Sequence, residues 1–301
     1  YYGEKIVMRL LRENVSGFTL ESLAFHGEGL DRIHKAVKST TGMILTTGPT
    51  GSGKTTTLYT VLDILNTPDV NISTIEDPIE YQMKRVNQTQ VRPEIGFTFA
   101  SGLRTLVRQD PDIIMVGEIR DGETADIAIN SALTGHLVFS TLHTNNAAGT
   151  FPRLIDLDVN PKILSSAINL AMAQRLVRKL CSNCKKQIPL EGANKEIITR
   201  IVNEIEDKEY VQGLDLNTVW EAVGCSECNV LGYKGRMGVH EAIIMNENIE
   251  NAIKDNPSER GIKNAAKAEK LLTLVQDGVV KVLNGATTLE ELTRVVDIEK
   301  E

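Results

Sequence analysis

Gly48-Pro49-Thr50-Gly51-Ser52-Gly53-Lys54-Thr55 is a complete G-x-x-x-x-G-K-T phosphate loop. Upstream of it, Met43-Ile44-Leu45 is an apolar run that reads as a buried strand. Downstream, Leu58, Val61, Leu62 and Leu65 recur at helical spacing. Strand, glycine loop and helix form the context this motif requires. The glycines let backbone N–H groups turn inward around phosphate oxygens, and the helix N-terminus adds its positive end. Lys54 reaches β- and γ-phosphates, and the Thr55 hydroxyl joins a Mg²⁺ shell. The loop, with Thr56 behind it, therefore reads as a nucleoside triphosphate site; a chance glycine turn would not carry the whole motif in this setting.

Composition narrows the setting. The 301 residues suit one large domain or two. A net charge of −7 argues against a broad electrostatic grip on nucleic acid, though a local basic patch stays open. No apolar run approaches the ~18 residues that a membrane-crossing helix needs. Tyr1 opens the chain in an already strand-like pattern, so 1–13 is expected to end a preceding α+β domain, with 14–29 as linker. Within that linker Phe18, Leu20, Leu23 and Phe25 either pack on the core or lie beside a nucleotide base. Residues 30–38 read as a short amphipathic helix.

After the first helix, 71–75 reads as a strand ending in Glu76-Asp77-Pro78-Ile79-Glu80. Ligands of open α/β sheets sit outside the carboxyl ends of strands. A carboxylate there can deprotonate an attacking water or hold Mg²⁺ through water. Residues 81–99 alternate polar and apolar around Pro93 and Gly96, the pattern of an inserted hairpin. A helix over 100–109 sets Arg104 and Arg108 together, either as solvated surface or to neutralise charge near the site. Ile113-Ile114-Met115-Val116-Gly117-Glu118 is an apolar strand capped by an acid, of the Walker B type but with Gly117 where the first acid usually stands. Glu118 is placed to approach Mg²⁺ and its waters. A helix over 123–133 and a buried strand flanked by His136 and His143 follow; His143, at the carboxyl end, can donate to a γ-phosphate.

Residues 161–180 read as one long helix with Pro161 in its first turn. It delivers Cys181-Ser182-Asn183-Cys184, and Cys225-Ser226-Glu227-Cys228 follows after an excursion with its own helix over 194–204. Two C-x-x-C knuckles using every cysteine of the chain, in a phosphate-loop protein, point to a reducing compartment and a Zn²⁺ site. With all four positions thiolate, the zinc is expected to be structural. A glycine-rich turn over 232–238 leads to a strand over 239–244. The remainder is helical, with a capping box at Thr288 and Glu291.

Taken together the chain resembles the secretion ATPase superfamily, and within it the type IV pilus assembly and type II secretion motor ATPases. The resemblance rests on Gly48–Thr55; on Ile75-Glu76-Asp77-Pro78-Ile79-Glu80, the aspartate box; on Arg108-Gln109-Asp110-Pro111-Asp112 running into Gly117-Glu118-Ile119-Arg120-Asp121, the family's own Walker B; and on Thr134-Gly135-His136 through Thr141-Leu142-His143-Thr144, the histidine box. Gln174-Arg175-Leu176 and the cysteine pairs extend it. It implies an α/β fold: a RecA-like P-loop NTPase core over 30–180, a tetracysteine element over 181–240 and a helical region over 241–301. It implies Glu80 as the base that activates water, Glu118 as organiser of Mg²⁺ and water, His143 as γ-phosphate sensor and His136 as a residue that helps fix the site. It further implies ATP hydrolysis by a homohexameric ring in the cytoplasm, docked at the inner membrane on a platform protein and handling pilin-like subunits. Arginines reaching across subunits would come from the domain before residue 1. The tetracysteine element is similar to that of the assembly and secretion branch rather than the retraction motors. A competence motor or a DNA-translocating secretion ATPase shares the fold; the acidic charge, both boxes and the cysteine pairs weigh against stable nucleic-acid binding.

Overall fold

The computed structural model describes residues 3–6, 8 and 17–298. The strand expected over 1–12 lies largely outside the described residues. Helix α1 (Gly27–Val37) precedes β1 (Gly42–Thr47) and α2 (Lys54–Leu65). Then come β2 (Ile72–Glu76), β3 (Val86–Gln90), α3 (Phe99–Leu106), β4 (Ile113–Val116), α4 (Gly122–Leu133) and β5 (Leu137–Leu142). Helices α5 (Thr150–Asp156) and α6 (Pro161–Ala167) lead into a long strand, β6 (Ile168–Leu180). Next are β7 (Lys186–Pro189), α7 (Gly192–Glu204), β8 (Thr218–Glu221) and β9 (Tyr233–Ile244). Helices α8 (Glu247–Asp255), α9 (Glu259–Lys267), α10 (Leu274–Leu283) and α11 (Leu289–Thr293) complete the described chain.

Seven strands form one sheet in the order β3-β2-β4-β5-β1-β6-β9, parallel except for the last pair. β7 and β8 form a separate antiparallel ribbon. The interior parallel strands are buried on both faces, which is why β1, β4 and β5 carry apolar runs, whereas the edge strand β3 is polar and partly exposed. Along β1, Ile44 packs with Leu58 and Leu62 of α2 and Ile33 of α1. Met43 and Leu45 join the opposite layer, with Leu103 of α3, Ile129 of α4 and Leu164 of α6. That second core continues through Ile198 and Ile201 of α7 to Leu274 and Leu283 of α10. Leu20 and Phe25, from the expected linker, are buried in the first layer, which settles their packing role.

Four sequence expectations are corrected. Residues 161–180 are not one helix: α6 stops at Ala167 and β6 takes over. Leu, Ala, Met, Gln and Arg in this stretch are good helix formers. Pairing with β1 on one side and β9 on the other overrides that preference. The hairpin over 81–99 is instead an edge strand, β3, parallel to β2, followed by a single antiparallel bridge between Arg92 and Phe97. Alternation reports a strand but not the direction of its partner. Most of the glycine-rich stretch 232–238 lies within β9, held extended by β6. Thr288 does cap α11 through the Glu291 N–H at 3.2 Å. The Glu291 carboxylate, however, is taken by the Arg178 guanidinium at 2.7 and 2.9 Å rather than closing a capping box.

Helix α10 carries a buried i,i+4 ion pair, and each partner also bonds across to β9. Lys281 Nζ donates to Asp277 Oδ2 at 2.6 Å and to the Gly238 carbonyl at 2.8 Å. Asp277 also accepts from the His240 N–H at 2.7 Å, and its other oxygen lies 2.7 Å from His26 Nε2. Burial pushes the Asp277 carboxyl up, but Lys281, His26 and His240 more than offset this and bring it to about 2. The His240 ring stacks on Phe25 at 3.6 Å; its burial, with Lys281 nearby, holds it well below the ordinary imidazole value.

Candidate active site

Between β1 and α2 the chain makes a loop with positive φ at Gly48, Gly51 and Gly53. At Gly48 the constraint is spatial as well: a Cβ there would lie 2.5 Å from the Gln174 carbonyl oxygen and 2.7 Å from Ser52 Oγ. The tip, Pro49-Thr50-Gly51, is exposed, while Ser52 and Lys54 are buried beneath it and Thr55 and Thr56 are half-buried. Ser52 Oγ is buried without a partner. Lys54 Nζ turns back on the loop, donating to the Gly48 carbonyl at 2.8 Å and the Pro49 carbonyl at 3.1 Å. No side chain caps α2 at Gly53, leaving its first-turn N–H groups open to a ligand. Burial lowers the Lys54 ammonium, Glu118 raises it and Arg175 lowers it further. A donor-rich loop whose lysine is held only by the loop's own carbonyls fits phosphate oxygens.

The neighbouring strand ends bring further groups to this edge. Thr47, the last residue of β1, accepts from the Thr144 N–H at 2.8 Å through its own hydroxyl, so the turn after β5 is pinned to the phosphate loop. That turn starts with His143, whose Nε2 lies 3.2 Å from Glu118 Oε2. The other Glu118 oxygen accepts from Arg120, which also lies 3.7 Å from Asp77. Burial raises the Glu118 carboxyl, but Arg120 and His143 together hold it below the usual carboxylate range. It is an anion available to a cation and its waters. The Gly117 backbone packs tightly: a Cβ would lie 3.3 Å from the Ile75 oxygen and 3.4 Å from the Glu76 Cα, which leaves little room for the acid that commonly stands there.

The acidic cluster after β2 divides by burial. Glu76 is buried, Asp77 exposed and Glu80 half-buried on the loop leading to β3. His136 precedes β5 and His143 follows it, so the strand separates them by roughly 20 Å at 3.3 Å per residue. His136 is not brought to the phosphate loop of its own chain; its Nδ1 lies 3.0 Å from the Ser131 carbonyl. Arg104 pairs with Glu123 at 2.5 Å on the surface, and Arg108 is exposed on the short turn after α3.

Two residues quoted from the sequence only as part of the resemblance stand at the site. Gln174 accepts from the Thr57 hydroxyl at 2.7 Å, and Arg175, buried beside Gly48, donates to the Asn145 carbonyl at 2.7 Å. They belong to β6, so reading that stretch as a helix concealed their place next to β1. The signal was available: Gln174 and Arg175 interrupt the apolar run between Leu170 and Val177.

At the far end of β6, the four cysteines converge. Their Sγ atoms all lie within 4.8 Å of one another, and the pairs Cys181–Cys225, Cys184–Cys228 and Cys225–Cys228 are each 3.8 Å apart. A tetrahedron with Zn–S bonds of about 2.3 Å has edges of about 3.8 Å, so the donor set fits zinc. Backbone N–H groups of Cys225 and Gly232 donate to Cys228 Sγ at 3.2 Å each, and that of Gly224 to Cys184 Sγ at 3.3 Å. Burial raises the Cys228 thiol, while the two backbone donors and the neighbouring sulfurs bring it down to about 6.

Among the described residues no helix is long and apolar enough to cross a membrane. A family profile described as type II/IV secretion system protein matches residues 1–294. Type II secretion system protein E of Dickeya dadantii is 44% identical over 299 residues, covering 99% of this chain and 57% of that protein. Type IV pilus assembly ATPase PilB of Thermus thermophilus is 45% identical over 292 residues, covering 97% of this chain and 32% of that protein. The chain thus spans little more than half of the one and about a third of the other. Among solved structures, the pilus retraction motor PilT with bound ADP superposes with a TM-score of 0.64 at 31% identity, over 89% of this chain and 64% of that one. The match runs through the phosphate loop, both boxes and the cysteine pairs alike, and the chain belongs to the type II/IV secretion system protein family.

Proposed function

We propose that this chain is the ATP-hydrolysing core of a motor that powers type IV pilus assembly or type II protein secretion. The observation that carries the reading is the convergence of Lys54, Glu118 and His143 on one sheet edge beside the phosphate loop. Gly48 to Thr56 would hold the triphosphate, Lys54 would exchange its loop carbonyls for phosphate oxygens, and Thr55 and Glu118 would hold Mg²⁺. Bound Mg²⁺ supplies charge neutralisation on the phosphates. Glu80 accepts the proton of the attacking water, as the aspartate box implies. His143, already on Glu118, is poised to exchange that contact for the γ-phosphate and so report its presence. The four cysteines would hold a structural Zn²⁺, joining both ends of the α7 excursion and leaving no open position for chemistry. The working form is a homohexamer in the cytoplasm, docked at the inner membrane on a platform protein that passes the motion to pilin-like subunits. His136, away from its own phosphate loop, would then serve the site only from a neighbouring subunit.

Steady-state ATP hydrolysis measured beside mass in solution tests this. Glu80→Gln is expected to abolish turnover while leaving ATP affinity within about threefold, since the side chain is isosteric and lies off the phosphate loop. Full turnover in that variant overturns the assignment of the base. A monomer hydrolysing at full rate removes the ring from the mechanism.

A further inference from the structure

Glu80 belongs to a loop that begins at the end of β2, whereas the phosphate loop begins at the end of β1. In the sheet order β3-β2-β4-β5-β1, the two strands lie three positions apart, roughly 14 Å at 4.8 Å per strand. A carboxylate that activates water must nevertheless stay in register with a phosphate seated on the other strand, because small misplacements are costly to the chemistry.

One side chain spans the gap. Tyr59 lies on α2, five residues beyond Lys54, and is 1% exposed. Its hydroxyl donates to Glu76 Oε2 at the end of β2, and its oxygen accepts from Gln88 Nε2 at 3.4 Å. Glu76 is 2% exposed and its second oxygen accepts from the Thr74 hydroxyl at 2.6 Å and Gln88 Nε2 at 3.1 Å. Gln88, on β3, also donates to the Tyr81 carbonyl at 3.1 Å and accepts from the Met83 N–H at 2.7 Å. The Tyr59 and Tyr81 rings meet edge to face, 4.6 Å between centroids. Tyr81, the residue directly after Glu80, is thus fastened to this network through its carbonyl and its ring. Tyr59 ties that network to the helix that starts at Lys54. Burial, reinforced by Glu76, holds the phenol far above its ordinary value, so it stays an O–H donor throughout the working range. Filling the core at this position needs only the ring; the hydroxyl does something a phenylalanine would not.

We propose that Tyr59 is a positioning residue for hydrolysis, whose hydroxyl sets the Glu80 loop against the phosphate-loop helix through Glu76 and Gln88. The proposal rests on Glu80 as the base. The test compares Tyr59→Phe, Glu80→Gln and the double variant Tyr59→Phe/Glu76→Gln in the full chain. The readouts are kcat and KM for ATP, the affinity of a fluorescent ATP analogue, and Tm. Tyr59→Phe is expected to lower kcat roughly 10- to 100-fold with KM and analogue affinity within about twofold. Tm falls as well, because Glu76 loses a donor. The double variant removes that unmet charge, so Tm recovers while kcat stays low. Recovery of kcat together with Tm would make the hydroxyl purely structural and overturn the proposal. A rise in KM matching the fall in kcat would do the same, since the defect would then lie in nucleotide binding. Full turnover in Tyr59→Phe with an inactive Glu80→Gln overturns the role of Tyr59 alone. Full turnover in Glu80→Gln overturns the base assignment and the proposal with it.

Discussion

Replacing Asp277 by Asn removes one charge from the most enclosed ion pair described in the fold without changing side-chain shape. Lys281, with 6% side-chain exposure, would keep the Gly238 carbonyl but lose its counter-charge. Breaking a buried pair from one side costs about 3–5 kcal/mol, because the remaining charge is stranded in low dielectric. The carboxyl itself gives a second measure. Its value falls from 3.8 to about 2 on folding, which is worth roughly 2 kcal/mol. Because the folded value is depressed, this stability is fully present above about 3.8 and is lost as pH falls through about 2. The larger figure applies to the variant at neutral pH, since it includes the cost of the orphaned ammonium. At a few °C per kcal/mol for a chain of this size, Tm should fall by roughly 10 °C at pH 7. Calorimetric melts of both proteins at pH 7 and toward pH 2 provide the assay, and the gap should narrow at the acidic end. Asp277→Asn/Lys281→Met, which removes both charges, should regain most of the loss. A drop below about 2 °C at pH 7, or a double variant no better than the single, would refute the claim that this pair, bonded across to β9, stabilises the fold.

Metal analysis of freshly reduced protein should find one zinc per chain, and Cys228→Ser should lower both zinc content and Tm, the latter by roughly 5 °C or more; unchanged metal content would exclude the four-thiolate centre. Gly48→Ala should weaken nucleotide binding roughly 10- to 100-fold, because its Cβ would press on the Gln174 carbonyl at 2.5 Å and force the loop to shift. Calorimetric titration with an ATP analogue reads this directly, and wild-type affinity would show that the close approach is not required.

Local chemistry explains what was legible from residues alone. The phosphate loop, the apolar strands around it and the helix behind it each depend on neighbours a few positions away. The glycine spacing, the acid closing β4 and the cysteine spacing needed no tertiary information. Residues 161–180 were misread because a segment buried on both faces has no alternation to distinguish strand from helix. Its good helix formers then favoured the wrong answer until β1 and β9 paired with it. Arg175 and Gln174 were hidden by the same error. The acidic cluster illustrates a subtler limit: three carboxylates within five residues end as a buried group at Glu76, a surface charge at Asp77 and a half-buried group at Glu80.

Already legible along the chain are a triphosphate-type loop between a strand and a helix, acidic groups and a histidine after later strands, and four cysteines as two knuckles. These follow from backbone conformation and spacing, which the chain specifies over short range. Only in the folded sheet does His143 share Glu118 with Arg120, and only there does Tyr59 reach from one strand's helix to another strand's end. Those relations depend on the order of strands in the sheet, and that order is set by which buried faces fit together rather than by any residue's immediate neighbours.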